Sequence, residues 1–237
     1  MIYLLKNKLE DDNVKIKGAI FDMDGTLVNS LMWWDVFWSN LGKKFLNNSS
    51  FKPSEDDDRK VRTMIFSDCM EYIQKTYSIP ATPQQLLDYA HEDIERFYVE
   101  DVMCKEGAVE LLENLKSKGI KLCVASATRL DHVMRCLDNL DLTKYFEAVL
   151  SCADIGKGKD KPDIYLLALD KLGLKADEAC VFEDSYVALE TAKSINCKTV
   201  GIFDKYNFGQ DKLKNASIYY VAEGESLSSL CSKVEKA

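Results

Sequence analysis

One rhythm restricts this chain more than any other feature. From Lys17 onward a short apolar run is followed by a turn and then by an amphipathic stretch, and the cycle repeats. The apolar runs fall at 18–21, 121–125, 148–150, 179–182 and 199–203. Each is short and nearly free of charge, as a strand covered on both faces must be. Between them, Leu112 and Leu115 belong to a helical stretch that stops near Gly119, and Val133, Leu137 and Leu140 follow an i, i+4, i+7 spacing. Ile164, Leu167, Ala168 and Leu172 form a stripe ending at Gly173, a helix stop, and Ala188, Ala192 and Ile195 form another. Alternating strands and helices predict an α/β fold, a doubly wound and mostly parallel sheet with helices on both faces. In such sheets reactive groups gather at the carboxyl ends of the strands.

Residues 30–106 break the rhythm. Trp34, Phe37, Trp38 and Leu41 make one helical face, residues 47–54 are polar and turn-rich, and Asp56 to Asp58 follow. Two further helical stretches are expected at about 59–77 and 83–98. The reading is a core of residues 1–29 and 107–237 carrying a small all-helical domain at 30–106.

Composition narrows the class of partner. With 237 residues, 46% apolar and 30% charged, the chain has enough material for a sizeable core. Its formal net charge is −8 and no Lys/Arg stripe stands out, which argues against a nucleic-acid partner. An anionic substrate remains open to an acidic protein if a metal and a few lysines reverse the local sign. The N-terminal apolar run at 2–5 is too short for a signal peptide or a spanning helix, so no membrane partner is expected. The eight cysteines show no C-x-x-C spacing, and Cys123 and Cys180 sit inside apolar runs. These two read as small buried hydrophobes, and a reducing cytoplasm is the expected compartment, with a disulfide framework the weaker alternative.

The sharpest local signal is Phe21-Asp22-Met23-Asp24-Gly25-Thr26, directly after the first apolar run. An extended backbone sends the two carboxylates to the same face, and Gly25 permits a sharp turn that brings backbone N–H groups toward an anion. Alone, Asp-x-Asp-Gly is also an ordinary Asx-type turn. A second acidic pair, Glu183-Asp184-Ser185, follows another apolar run and opens a helix. Together the two pairs make a hard, oxygen-rich set suited to magnesium. Between them, Ser126 and Ala127 end a strand, and Gly156-Lys157-Gly158-Lys159-Asp160-Lys161-Pro162-Asp163 places three lysines before a helix. Serine is a routine helix cap and most lysine clusters are simply solvated.

The order of these four elements resembles the haloacid dehalogenase superfamily, in particular the phosphatase and beta-phosphoglucomutase-like branch whose helical cap follows the first motif. The likeness extends from Gly18 to about Phe203. It implies a Rossmann-like core with the active site under the cap. It further implies magnesium-dependent hydrolysis of a small phosphorylated metabolite, a phosphate monoester, through an aspartyl phosphate. By this resemblance Asp22 is the nucleophile and Asp24 the general acid and base. Ser126 and Lys159 bind the transferring phosphoryl group, with Gly25, Thr26 and Ala127 as further substrate contacts. Asp22, Asp184 and the backbone oxygen of Asp24 serve the metal, and Glu183 does so either as a second ligand or through a water. Lys161 is the second choice for the lysine, because Asp160 replaces a proline of the family pattern.

Two departures accompany the likeness: Cys104-Lys105-Glu106-Gly107 replaces the usual Pro-Gly turn, and Ala188 stands where glycine is common. Asn29, Ser30, Arg59 and Arg62 are candidate substrate contacts, whereas Trp34 reads as packing. The alternatives are a phosphomutase, disfavoured because Trp34 occupies the place of the mutases' cap histidine, and a non-catalytic binding protein. Asp24 argues against a dehalogenase, and no cap lysine marks a phosphonate hydrolase. Substrate identity and oligomeric state are not encoded in these motifs, and a monomer is compatible with them.

Overall fold

The computed structural model describes residues 14–62, 64 and 66–237. The apolar run at 2–5 lies outside them. The described chain divides into two compact units: Ser30–Val102, and Met103–Ala237 together with the chain up to Asn29. In chain order the core unit opens with β1 (Val14–Ile16) and β2 (Gly18–Phe21). The helical unit follows with α1 (Trp33–Phe45), α2 (Glu55–Val61), α3 (Phe66–Thr76) and α4 (Pro83–Glu100). The core then resumes with α5 (Ala108–Ser117), β3 (Lys121–Ser126), α6 (Leu130–Asn139), β4 (Ala148–Ser151), α7 (Cys152–Ile155) and α8 (Asp163–Leu172). It ends with β5 (Ala179–Glu183), α9 (Tyr186–Ser194), β6 (Lys198–Ile202), α10 (Gln210–Ala216), β7 (Tyr219–Val221) and β8 (Val234–Lys236).

Six strands form one parallel sheet in the order β4-β3-β2-β5-β6-β7. The chain builds outward from β2 to β4 on one side, then returns to lay β5 against the other edge of β2. The crossing point between β2 and β5 is where an open α/β sheet leaves a crevice beyond its strand ends. The central strands are apolar and buried until β5 reaches Glu183 at its carboxyl end. Ala19, Ile20, Phe21, Val181 and Phe182 are fully buried, and the Phe21 and Phe182 rings stack at 4.3 Å.

Several expectations need correction. The strand expected at 199–203 runs Lys198–Ile202, and Phe203 opens a loop although its N–H still reaches Val221 O at 2.9 Å. The three-residue strands β1, β7 and β8 escaped a periodicity that needs at least four residues to register. β1 and β8 pair with each other in a separate parallel ribbon.

The single helix expected at 59–77 is two. The acids at 55–58 are the first turn of α2, capped by Ser54 Oγ accepting from Asp57 N at 3.1 Å. In α1 the buried face is Trp33, Phe37, Trp38 and Leu41, with Trp34 only half-buried. Trp33 takes the inner place because its indole N–H donates to buried Asp93 at 3.1 Å. The boundary expected at 106 also moves. Residues 103–106 join the core, where Asn29 N bonds Met103 O at 2.9 Å, Lys105 N bonds Leu27 O at 2.8 Å, and Cys104 bridges Val28.

Candidate active site

The sheet register fixes the first acid. Phe21 sits opposite Val124 on β3 and Phe182 on β5, and Asp22 N extends the ladder to Phe182 O at 3.0 Å. Beyond it the chain must reverse. Gly25 adopts φ +80°, open to glycine at little cost, and Met23 O gathers the N–H groups of Leu27 at 2.9 Å, Val28 at 3.1 Å and Thr26 at 3.3 Å. Gly25 N bonds Val28 O at 3.0 Å. The backbone donors of Gly25 and Thr26, expected to face an anion, are therefore consumed within the turn, where buried amides require partners. The Thr26 hydroxyl donates to Asp184 Oδ1 at 3.0 Å.

Strand β5 delivers the other acids. Asp22, Glu183 and Asp184 are 7%, 1% and 2% exposed, and each offers an oxygen within 4.8 Å of the others. Lys159, from the loop between α7 and α8, donates to Asp22 and to Glu183 Oε1 at 2.5 Å. Tyr165 donates to the same Glu183 oxygen at 3.3 Å, and Ser185 N donates to Oε2 at 3.1 Å. Lys161 stays exposed, 3.6 Å from Asp160, and Lys157 pairs with Asp163.

The electrostatics follow from crowding three acids around one ammonium away from water. Burial pushes the Asp22 carboxyl up to about 8; Lys159 opposes the shift, while Glu183 and Asp24 reinforce it. Burial, followed by Asp22 and Glu183, drives Asp184 well above the carboxylate range. For Lys159 burial works against the charge, yet Asp22 and Glu183 prevail and hold the ammonium well above its usual range. The donor set is hard, dry and short of positive charge, which fits a divalent oxygen-seeking cation such as magnesium.

Asp24 stands apart from this trio. Its Oδ2 accepts the Thr128 hydroxyl at 2.8 Å, and Thr128 N donates to Ser126 Oγ at 3.0 Å. Ser126 is fully buried at the end of β3, whereas Ala127 is exposed. Asn29 donates to Cys104 O at 3.3 Å, Ser30 is buried and Arg59 is exposed. Arg62 is engaged by Asp58 at 2.8 Å and Leu31 O at 3.0 Å.

Sequence reasoning missed Thr128, Tyr165 and Asn207. Tyr165 lay two residues past the lysine-rich segment that ends at Asp163, and Thr128 two residues past Ser126. Asn207, which donates to Asp184 Oδ2, carried no signal at all. The eight cysteines are unpaired, and burial pushes the Cys123 thiol up to about 12. Among the described residues no helix is long and apolar enough to cross a membrane.

Residues 16–196 match the family model of haloacid dehalogenase-like hydrolases. The phosphorylated carbohydrates phosphatase of Thermotoga maritima is 29% identical, over 91% of this chain and 98% of its own. The phosphoglycolate phosphatase of Escherichia coli strain K12 is 25% identical, over 86% of each chain. A solved Thermotoga maritima structure, provisionally assigned as a beta-phosphoglucomutase, superposes with TM-score 0.76 at 27% identity, over 92% of this chain and 97% of that one.

Proposed function

We propose, from the premise that this chain belongs to the haloacid dehalogenase-like hydrolase family, that it is a phosphatase whose nucleophile is Asp22. Its substrate is a small phosphorylated metabolite, as the names of its relatives suggest. The observation that carries the reading is Asp22 at the sheet's crossing point, sharing Lys159 with Glu183 and lying within 4.8 Å of Asp184. We assign magnesium as the cation, held by Asp22, Glu183, Asp184 and the backbone oxygen of Asp24. When bound, the ion supplies positive charge that offsets the repulsion between a carboxylate and a phosphate dianion.

The residues of the chain do the rest. Asp22 attacks phosphorus in line, its oxygen forming the new O–P bond as the bond to the leaving alcohol breaks. Asp24 gives that leaving oxygen a proton, and the Thr128 hydroxyl holds the carboxyl in place. Asp24 then takes a proton from water as the water oxygen attacks the phosphorus of the aspartyl phosphate. Phosphate leaves and Asp22 is restored. Lys159 and the hydroxyl of Ser126 stabilise the equatorial oxygens while charge shifts. The helical unit at 30–102 is assigned the role of specificity module, and the cytoplasm, where eight unpaired thiols persist, is the proposed location.

The test is Asp22→Asn in full-length protein, with a chromogenic phosphate ester and magnesium. Turnover should fall to background and no acid-stable phosphoenzyme should be trapped. An unchanged rate removes Asp22 as nucleophile. The likeness to a structure assigned as a mutase favours a second assay with a sugar phosphate: free phosphate marks the hydrolase, an isomeric sugar phosphate the mutase.

A further inference from the structure

Asp184 has both carboxylate oxygens engaged. Oδ1 accepts the Thr26 hydroxyl at 3.0 Å, and Oδ2 accepts the side-chain amide of Asn207. Asn207 comes from the loop between β6 and α10. That loop leaves the sheet beside the end of β5, because Gly201 on β6 is paired with Glu183. A loop can orient a carboxylate only if it is itself held, and this one is. Asp204 Oδ1 accepts from Tyr206 N at 2.9 Å, and Asn207 N turns back to Asp204 O at 3.0 Å. Gln210 Nε2 donates to Asp204 O at 2.9 Å and to Asn207 O at 3.1 Å, and Tyr220 holds Gln210 Oε1 at 3.0 Å. From the other side the Lys105 ammonium reaches Asp204 Oδ2 at 2.9 Å and Phe203 O at 3.2 Å.

We infer that Asn207 is a positioning residue for magnesium: with Thr26 it fixes the carboxylate plane of Asp184 so that its remaining lone pairs face Asp22 and Glu183. The chemistry of the amide is suited to this. A lysine in its place would add a cation that competes with the metal for Asp184, and a carboxylate would repel it. An amide donates one N–H without bringing net charge into an already charged pocket. Partners that orient metal ligands contribute about 10–100-fold to metal affinity or activity in known sites. The inference rests on Asp184 being a metal ligand, and the experiment separates the two claims.

Magnesium binding is measured by isothermal titration calorimetry on the full chain for the parent, Asn207→Ala, Asp184→Asn and the double variant. The melting temperature of each is recorded without metal. Asn207→Ala should weaken magnesium by about 10–100-fold with the metal-free melting temperature little changed, and kcat at saturating magnesium should largely recover. In the Asp184→Asn background the Asn207 substitution should have no further effect on affinity. An unchanged dissociation constant for Asn207→Ala overturns the inference, as does an equal loss in the Asp184→Asn background. Full magnesium affinity in Asp184→Asn alone overturns instead the assignment of Asp184. Should Asn207→Ala fail to fold, Gln210→Ala substitutes for it: a smaller loss of affinity in the same direction supports the inference, and none overturns it.

Discussion

The ammonium of Lys159 lies 2.5 Å from Glu183 Oε1 and also bonds Asp22, so one cation joins two buried acids borne by neighbouring strands. The Lys159 side chain is only 10% exposed, so water does little to screen either contact. Removing it leaves uncompensated charge in a dry site. Lys159→Ala should destabilise the metal-free protein by roughly 3–5 kcal/mol in urea unfolding. It should also lower kcat by roughly 10²–10³-fold with a chromogenic ester. A variant with parental stability and rate would show that Asp22 and Glu183 do not depend on this lysine.

The raised carboxyl of Asp22 sets a pH dependence. Between its ordinary value near 3.8 and about 8, the folded protein holds a proton on Asp22 that the unfolded chain releases. Stability therefore falls as pH rises through that window, the reverse of an ordinary salt-bridged acid. Asp184 shifts in the same direction and adds to the effect. Metal-free protein should melt at progressively lower temperature from pH 5 to 8. Asp22→Asn should flatten the trend, and so should saturating magnesium. A melting temperature that climbs across this range in metal-free parent protein contradicts the sign.

Thr128 touches the proposed general acid through one hydrogen bond of 2.8 Å to Asp24 Oδ2. Thr128→Val keeps the shape and deletes the donor. A single hydrogen bond contributes about 0.5–1.5 kcal/mol net, so kcat should drop roughly 2–10-fold with little change in KM. The loss should be greater for alkyl than for aryl leaving groups, since only the poorer leaving group needs the proton. Equal losses with both would assign Thr128 a purely structural part.

Inside the helical unit, Asp93 is 3% exposed and accepts from Trp33 Nε1 at 3.1 Å, Asn40 Nδ2 at 3.1 Å and Arg96 at 2.5 Å. Asp93→Ala strands the indole N–H in an apolar setting and should destabilise that unit by roughly 2–4 kcal/mol. Asp93→Asn, which keeps an acceptor for one donor, should lose less. Urea unfolding followed by tryptophan fluorescence reads both.

The parts visible in the sequence were those written in local patterns. The runs that became β2, β3 and β5 announced themselves because strands covered on both faces tolerate little but apolar residues. Asp22, Asp24, Glu183 and Asp184 stood out because paired acids at the ends of such runs are chemically conspicuous. What escaped was either too short or too distant. β7 has three residues, and its tyrosines Tyr219 and Tyr220 are only half-buried. Asn207 meets Asp184 from 23 positions away through a loop with no periodicity, where only the completed sheet brings them together. The backbone of Gly25 and Thr26 shows the opposite failure. The turn was legible, but the destination of its N–H groups was not, since a donor's partner is settled by the closed loop.

The ladder between β2 and β5 has a further consequence. Because Phe21 is paired with Phe182, Asp22 and Glu183 follow partnered positions on adjacent strands, whose backbones a sheet spaces at about 4.8 Å. The spacing of the backbones that carry these two acids is thus a property of the sheet. Mutational drift in the connecting segments leaves that spacing unchanged, because the strand register and not the loops sets it.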